Sequence, residues 1–434
     1  MSKPSDGTQR TIQVDYLARV EGEGALTLRF QGDELAEVAL SIFEPPRFFE
    51  GFLVGRSCME APDITARICG ICPVAYQMSA CRAVEDALGV VLPDALHQLR
   101  RVIYCGEWIE SHVLHMALLH TPDFFGVDDA MEVAKQHGQQ IRDALQVKKA
   151  GNHIVGTLGG REIHPINVKP GGFWRLPRPA EVRSVIDGLV AQRRAMLELV
   201  RWMSGFDFPE LDRRHTWVCL DDGVRYPIME GRVISSEGLD VPVQAWPQHF
   251  AEEHVQRSNA LHARLHGEPY LTGPLARFNL CFERLPDELK LLAGELGLEP
   301  PVTNNFRSLL VRGIEVLYAM DEAVRLLAGW VAPREAAVPL ELRAGVGHGA
   351  SEAPRGLLYH RYELDDDGSI AKAVIVPPTS QNQLAMEADL RALADDLRTL
   401  PEDEATRLAE QSIRNHDPCI SCATHFLTLK REHG

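Results

Sequence analysis

"DPCISCATHFLTLKREHG", residues 417–434, closes the chain and carries two cysteines, Cys419 and Cys422. A terminus is ordinarily frayed and has little chemistry to do. The same spacing occurs as "CGIC" at 69–72, and the second pair begins 347 positions after the first ends. Four thiolates make a complete ligand set for a metal. In zinc ribbons the two pairs commonly lie about 15–20 residues apart, so here only the whole fold can bring them together. Three readings stay open from spacing alone: a structural zinc site, a redox-active metal centre, or two unrelated pairs. A thioredoxin-like motif is disfavoured, because neither pair opens a helix after a buried strand in a compact βαβ pattern.

The chain has 434 residues, enough for a sizeable core. With 45% hydrophobic and 24% charged residues it has an ordinary globular composition. A formal net charge of −16 argues against nucleic acid and against anionic membrane surfaces as partners. No apolar run reaches the roughly 20 residues of a membrane span, and "MSKPSDGTQR" lacks the apolar stretch of a signal peptide. A cytoplasmic location is expected. There are nine cysteines, an odd number that suits thiols or metal ligands better than a disulfide framework. The five outside the CxxC pairs read as small buried hydrophobes.

Residues 11–44, with the turn "QGDE" at 31–34, predict a small antiparallel sheet. Helical spacing follows. "PVAYQMSACRAVEDALGVV" opens on Pro73 and ends near Gly89, and "LHQLRRVIYCGEWIESHVLHMALLH" repeats apolar residues at three and four. Further helices are expected in "MEVAKQHGQQIRDALQVKKA", "AEVRSVIDGLVAQRRAMLELVRWM", "PDELKLLAGELGL" and "SLLVRGIEVLYAMDEAVRLLAGWV". Strands return in "GLLYHRYEL" and "KAVIVPP", and "GVGHGAS" reads as a glycine-rich loop that lets backbone approach the site. It lacks the flanking elements of a dinucleotide fingerprint. No repeat or linker divides the chain. The expected class is α+β, mainly α, a helical core with small antiparallel sheets.

The flanks of the two pairs, "RICGIC" (67–72) and "DPCISCATH" (417–425), resemble the two motifs of the large subunit of nickel-iron hydrogenases. Further matches follow in the family's order: "RVEG" (19–22), "RFFEGFLVGR" (47–56), "SHVLHMALLHTPDF" (111–124), "GGREIHPINVKPGG" (159–172), "EAPRG" (352–356) and "VPPTSQN" (376–382). They span residues 19–425. The resemblance implies the hydrogenase large-subunit fold over 1–425. It also implies reversible cleavage of H2 at a nickel-iron centre whose iron carries cyanide and carbon monoxide.

Carried over residue by residue, Cys69 and Cys419 are terminal nickel ligands, while Cys72 and Cys422 bridge nickel and iron. Soft thiolates suit such a centre. Arg355 of "EAPRG" faces the open side of the metals with its planar fork of donors, and Asp123 and Asp417 flank and orient it. Thr379 donates to a cyanide. Glu21 accepts the proton from Cys419, a role favoured if a dehydrated setting raises its pKa. Glu50 and His425 are the implied ligands of a magnesium ion. Two positions depart from the family's pattern: Tyr76 stands where a histidine is usual, and Glu23 follows "RVEG". Neither is an implied metal ligand. Tyr76 keeps a hydrogen-bond donor but, with an ordinary pKa of about 10, no group that titrates near neutrality.

The resemblance also accounts for the closing stretch. The family's precursors carry an extension past the second motif's histidine, here "FLTLKREHG" (426–434), which a maturation endopeptidase removes after chaperones insert nickel. No cysteine run in this chain suits iron-sulfur clusters, so a small subunit carrying them is implied. The chain looks most like the cytoplasmic bidirectional group, in which flavin-containing diaphorase subunits link H2 to NADP or NAD; a related group uses a deazaflavin. Two rivals remain: a metal-free quinone-site scaffold related to the large subunit of respiratory complex I, whose members lack the four cysteines, and a structural zinc protein.

Overall fold

The computed structural model describes residues 9–424; residues 1–8 and 425–434, which include His425 and the expected extension, lie outside it. The chain opens with three antiparallel strands, β1 (Gln9–Val14), β2 (Gly24–Gln31) and β3 (Glu34–Ile42), in the order β1-β2-β3. Along β2 alternate residues Leu26, Leu28 and Phe30 are buried, the period of a half-buried strand. They share one apolar cluster with Met386, Leu390, Ala409 and Ile413 from near the chain's end. The first and last parts of the sequence therefore share a core, which brings residue 21 beside residue 419.

After the short helix α1 (Phe49–Leu53), helix α2 (Pro73–Leu88) runs through the centre of the protein. Pro73 sits in its first turn, where a missing N–H costs nothing. It stops at Gly89, whose φ of 67° permits the left-handed cap, with the Val90 N–H bonded back to the Glu85 carbonyl at 2.8 Å. Fourteen of its sixteen residues are buried, so it is covered on all sides. Helices α3 (Asp94–Val113), α4 (Ala130–Gly159), α5 (Pro179–Met203) and α6 (Ser308–Ala328) pack side by side against one another. Beyond α3 the helix continues through a π-helical segment, Leu114–His120. Two small sheets between residues 218 and 265 complete the middle of the chain.

One expectation is overturned. The "GVGHGAS" stretch is not a loop at the site but part of strand β4 (Gly345–Ala353), which pairs with β5 (Gly356–Leu364) and, through it, β6 (Ile370–Val376). Its glycines alternate along one face, and that face lies flat on α2. A Cβ at Gly347 would stand 1.9 Å from the Ala83 carbonyl oxygen, and one at Gly349 2.2 Å from that of Ser79. The close approach is to a helix, and it fixes where the β4–β5 turn points. Helices α7 (Pro378–Ala392), α8 (Glu402–Arg414) and the short α9 (Ile420–Ala423) end the described chain. Helices with small antiparallel sheets are the class the sequence predicts. Among the described residues, no helix is long and apolar enough to cross a membrane.

Candidate metal centre

Six segments converge on one buried point. Cys69 lies in the loop before α2 and Cys72 is the residue that starts that helix. Cys419 starts α9 and Cys422 lies within it. The four sulfurs all fall within 4.8 Å of one another, and all four residues are buried. Cys69 Sγ is 3.4 Å from Cys419 Sγ, Cys72 Sγ is 3.7 Å from Cys422 Sγ, and the sulfurs of Cys419 and Cys422 touch. Across 347 positions of sequence, the fold makes one four-thiol site.

The two motifs are stapled by a residue to which the sequence assigned no role. Arg47 Nη2 donates to the Ile68 carbonyl at 2.7 Å and to the Ser421 carbonyl. The "RVEG" segment closes the other side: the Ile420 N–H bonds to the Glu21 carbonyl at 2.9 Å, forming a parallel bridge between Glu21 and Cys419. Gly22, at φ 90°, lets this crossing happen, since a Cβ there would meet Ile420 Cβ at 2.7 Å and Glu44 Oε2 at 2.6 Å. Glu21 Oε2 then accepts from Cys419 Sγ at 3.0 Å and from the Ser421 N–H at 3.1 Å.

Arg355 sits in the two-residue turn between β4 and β5, where Ala353 pairs with Gly356. Its Nε donates to the Asp417 carbonyl at 2.7 Å and its Nη2 to Asp417 Oδ1 at 3.2 Å. Asp417 reaches both because its backbone is held at φ 50°, a sparsely populated conformation for a residue other than glycine. Burial opposes the charge of Arg355, but Asp417 and the thiols of Cys72 and Cys69 more than compensate, so it stays charged. The Cys69 thiol is lowered by its hydrogen bond with Cys72 against the effect of burial, with help from Arg355. Arg277 anchors the hairpin from below, donating to the Ala353 carbonyl at 3.0 Å, the Pro354 carbonyl at 3.2 Å and Glu352 at 3.0 Å. It is itself clamped by Glu315, and the guanidinium stacks 4.4 Å over Trp108.

Thr379, in the first turn of α7, accepts the Cys419 N–H on Oγ1 at 3.0 Å. Its hydroxyl proton remains to be donated. Asp123 requires a correction: it does not orient Arg355. Its two oxygens are taken by Arg414 (2.7 and 2.8 Å), Arg19 (2.5 Å) and His120 (3.1 Å). Burial would raise its pKa, but His120 and Arg414 outweigh that and hold it below the usual range. The sequence pattern named a carboxylate at this position but not which arginine it serves, and only the packing of α8 against the π-helical segment decides that.

Glu50 accepts the Ile375 N–H on Oε1 at 2.7 Å, and burial, opposed by that bond and by Lys372, pushes its pKa up to about 7. His425, its expected partner, lies outside the described residues. Tyr76 is fully buried, and burial followed by the neighbouring Cys72 and Cys69 raises its pKa well above the ordinary value. Glu23 is exposed, and its N–H meets Glu44 Oε2 at 3.3 Å. The buried hydroxyl of Tyr76 and Nη1 of Arg355 have no hydrogen-bond partner among the described residues. Unpaired buried donors beside four thiols are costly and fit acceptor ligands such as cyanide and carbon monoxide on an iron. The donor set thus suits a nickel-iron centre, and a plain zinc site would leave these groups unused.

Fold and site together define a metalloprotein that closes a four-thiolate centre between two distant CxxC pairs. Residues 47–152 match the family model for nickel-dependent hydrogenases. The chain is 32% identical to sulfhydrogenase 1 subunit alpha of Pyrococcus furiosus over 96% of its own length and 98% of that protein. It is 27% identical to the beta subunit of the NAD-reducing hydrogenase HoxS of Cupriavidus necator, over 96% and 95% of the two chains. Among solved structures, an NAD+-reducing [NiFe]-hydrogenase in the H2-reduced state superimposes with a TM-score of 0.87 at 26% identity, covering 97% of this chain and all of that one. The chain belongs to the nickel-dependent hydrogenase family and is a nickel-iron hydrogenase large subunit. The quinone-site and zinc alternatives fall with that membership.

Proposed function

We propose that this subunit catalyses the reversible heterolytic cleavage of H2, and that Cys69, Cys72, Cys419 and Cys422 are the residues that would hold the metals. A nickel-iron pair held there would supply the heterolysis of H2, which yields two protons and two electrons in all. The chain's own residues do the rest. The Cys419 sulfur passes the proton to Glu21 Oε2 over their 3.0 Å contact. Arg355, oriented by Asp417, offers its unpartnered Nη1 toward the open side of the site. Thr379 holds the Cys419 backbone and keeps a proton to donate to a diatomic ligand. The observation that carries the reading is the meeting of the four thiols with Glu21 on one side and Arg355 on the other.

Electrons leave through a partner. Among the described residues no second group of three or more His, Cys, Asp or Glu side chains lies close enough together to hold an iron-sulfur cluster, which supports a small subunit carrying such clusters. The NAD-reducing character of two of the similar proteins favours flavin-containing diaphorase subunits and NAD or NADP as the eventual acceptor, and a cytoplasmic location. A magnesium ion held by Glu50 and His425, and maturation by chaperones and an endopeptidase that cuts before Phe426, belong to the same reading. Metal analysis with infrared spectroscopy tests it: one nickel and one iron per chain with cyanide and carbon monoxide bands are expected, and loss of both metals in Cys69→Ser. Zinc in their place, or full nickel in that variant, overturns it.

A further inference from the structure

We infer that Glu107, which lies outside both cysteine motifs, is a positioning residue for Cys72: it takes up the free N–H groups at the start of α2 and so leaves the Cys72 sulfur without a backbone donor. The inference rests on Cys72 being a metal ligand.

A helix begins with four N–H groups that have no partner within it, and α2 begins at Cys72 itself. Each of the four is accounted for. The Cys72 N–H goes to Cys69 Sγ at 3.3 Å. Pro73 has no N–H. The Val74 N–H goes to Glu107 Oε2 at 2.6 Å and the Ala75 N–H to Glu107 Oε1 at 3.0 Å. The residue that starts a helix is normally the one whose side chain receives these last two, and a thiolate there is stabilised by the helix end. Cys72 makes no such bond. A fully buried glutamate from α3 has taken its place.

The two sulfurs of the first motif are treated oppositely. Cys69 Sγ receives two backbone N–H groups, from Ile71 and Cys72, each at 3.3 Å. Cys72 Sγ receives none among the described residues and has Cys422 Sγ as its neighbour at 3.7 Å. A sulfur serving two metals needs its lone pairs for both. An N–H on it would withdraw charge and weaken it as a donor, and groups of this kind behind a ligand commonly change metal affinity or activity about 10–100-fold.

A glutamine at 107 has one acceptor oxygen for two N–H groups, so one of them turns to Cys72. In Glu107→Gln, isolated with its partner subunits, the cyanide and carbon monoxide bands should move to higher wavenumber, because a sulfur that donates less leaves less charge on the iron. Nickel affinity should fall about 10–100-fold. Glu107→Asp keeps a carboxyl group with two acceptor oxygens but falls short of the helix end, and should shift the bands in the same direction by less; if the glutamine variant does not fold, this variant decides. Glu110→Gln, on the same helix and without an N–H partner in α2, should leave the bands in place. A folded Glu107→Gln, or in its absence Glu107→Asp, with wild-type bands and nickel affinity overturns the inference. If instead Cys72 held no metal, Cys72→Ser would keep nickel, iron and the bands, so the two failures are told apart.

Discussion

Replacing Arg355 by lysine tests the open side of the site without touching a metal ligand. The guanidinium makes two bonds to Asp417, at 2.7 and 3.2 Å, and has Nη1 left over. A lysine keeps the charge but has one nitrogen, which cannot bond both Asp417 acceptors and also present a donor to the metals. Losing one bond to a charged, buried partner costs about 1.5–3 kcal/mol, which the rest of a core of this size absorbs. In the role proposed for Arg355, losing the Nη1 donor costs more selectively: removing one such group typically lowers kcat about 10²–10³-fold, or about 2.7–4 kcal/mol of barrier. Arg355→Lys should therefore retain nickel and iron in wild-type amounts while H2 oxidation with an artificial acceptor falls by that factor. The acceptor bypasses the flavin subunits, so the loss reports on the centre alone. A metal-replete variant with unchanged turnover would refute the role.

Glu21→Gln keeps the shape of the Cys419 contact but cannot take up and release a proton; metals should stay bound while both net turnover and hydrogen-deuterium exchange are lost, and exchange at the wild-type rate would show another exit. Gly347→Ala drives a methyl to 1.9 Å from the Ala83 carbonyl, so the melting temperature should drop, for a destabilisation of about 1–3 kcal/mol or more, with no change if β4 does not lie on α2. His112 is fully buried, and desolvation, opposed by Glu315, pushes its pKa down from 6.5 to about 4. Its folded value lies below the unfolded one, so its contribution is fully present above pH 6.5 and is lost as pH falls from 6.5 toward 4. The shift is worth about 3 kcal/mol. About 2 kcal/mol of this falls between pH 7 and pH 5, so denaturant midpoints at those two values should differ by that much, and the difference should shrink in His112→Gln.

The four cysteines, Arg355 and Glu21, which the fold gathers, were legible because their setting is written in short, fixed words: a two-residue spacer between cysteines, an arginine in a Pro/Gly turn, a glutamate before a glycine. Each has a local reason to be where it is. The central helix was equally legible, from Pro73 at its start to the left-handed Gly89 at its end, as was the alternation of β2. The glycine-rich stretch before "EAPRG" misled because glycine serves two purposes. It frees a loop, or it removes side chains so that a strand can lie on a helix, and nothing within residues 345–351 says which. Glu107 was illegible for a related reason. In "GEWIESH" it is one of two glutamates on a helix of mixed composition, and only its partners, some thirty residues away at the start of α2, give it a task.

The sequence by itself named the four cysteines that the fold gathers, the helical class and the family, because soft-ligand spacing, caps and hydrophobic period are properties of neighbours along the chain. The tertiary structure decided which carboxylate serves which arginine: Asp417 holds Arg355, while Asp123 is spent on Arg19 and Arg414. It also decided which sulfurs carry backbone donors and which are spared, with Cys69 bearing two and Cys72 none among the described residues. Both depend on directions across hundreds of positions, and a buried charge pairs with whatever the packing brings within about 3 Å, not with what stands near it in the chain.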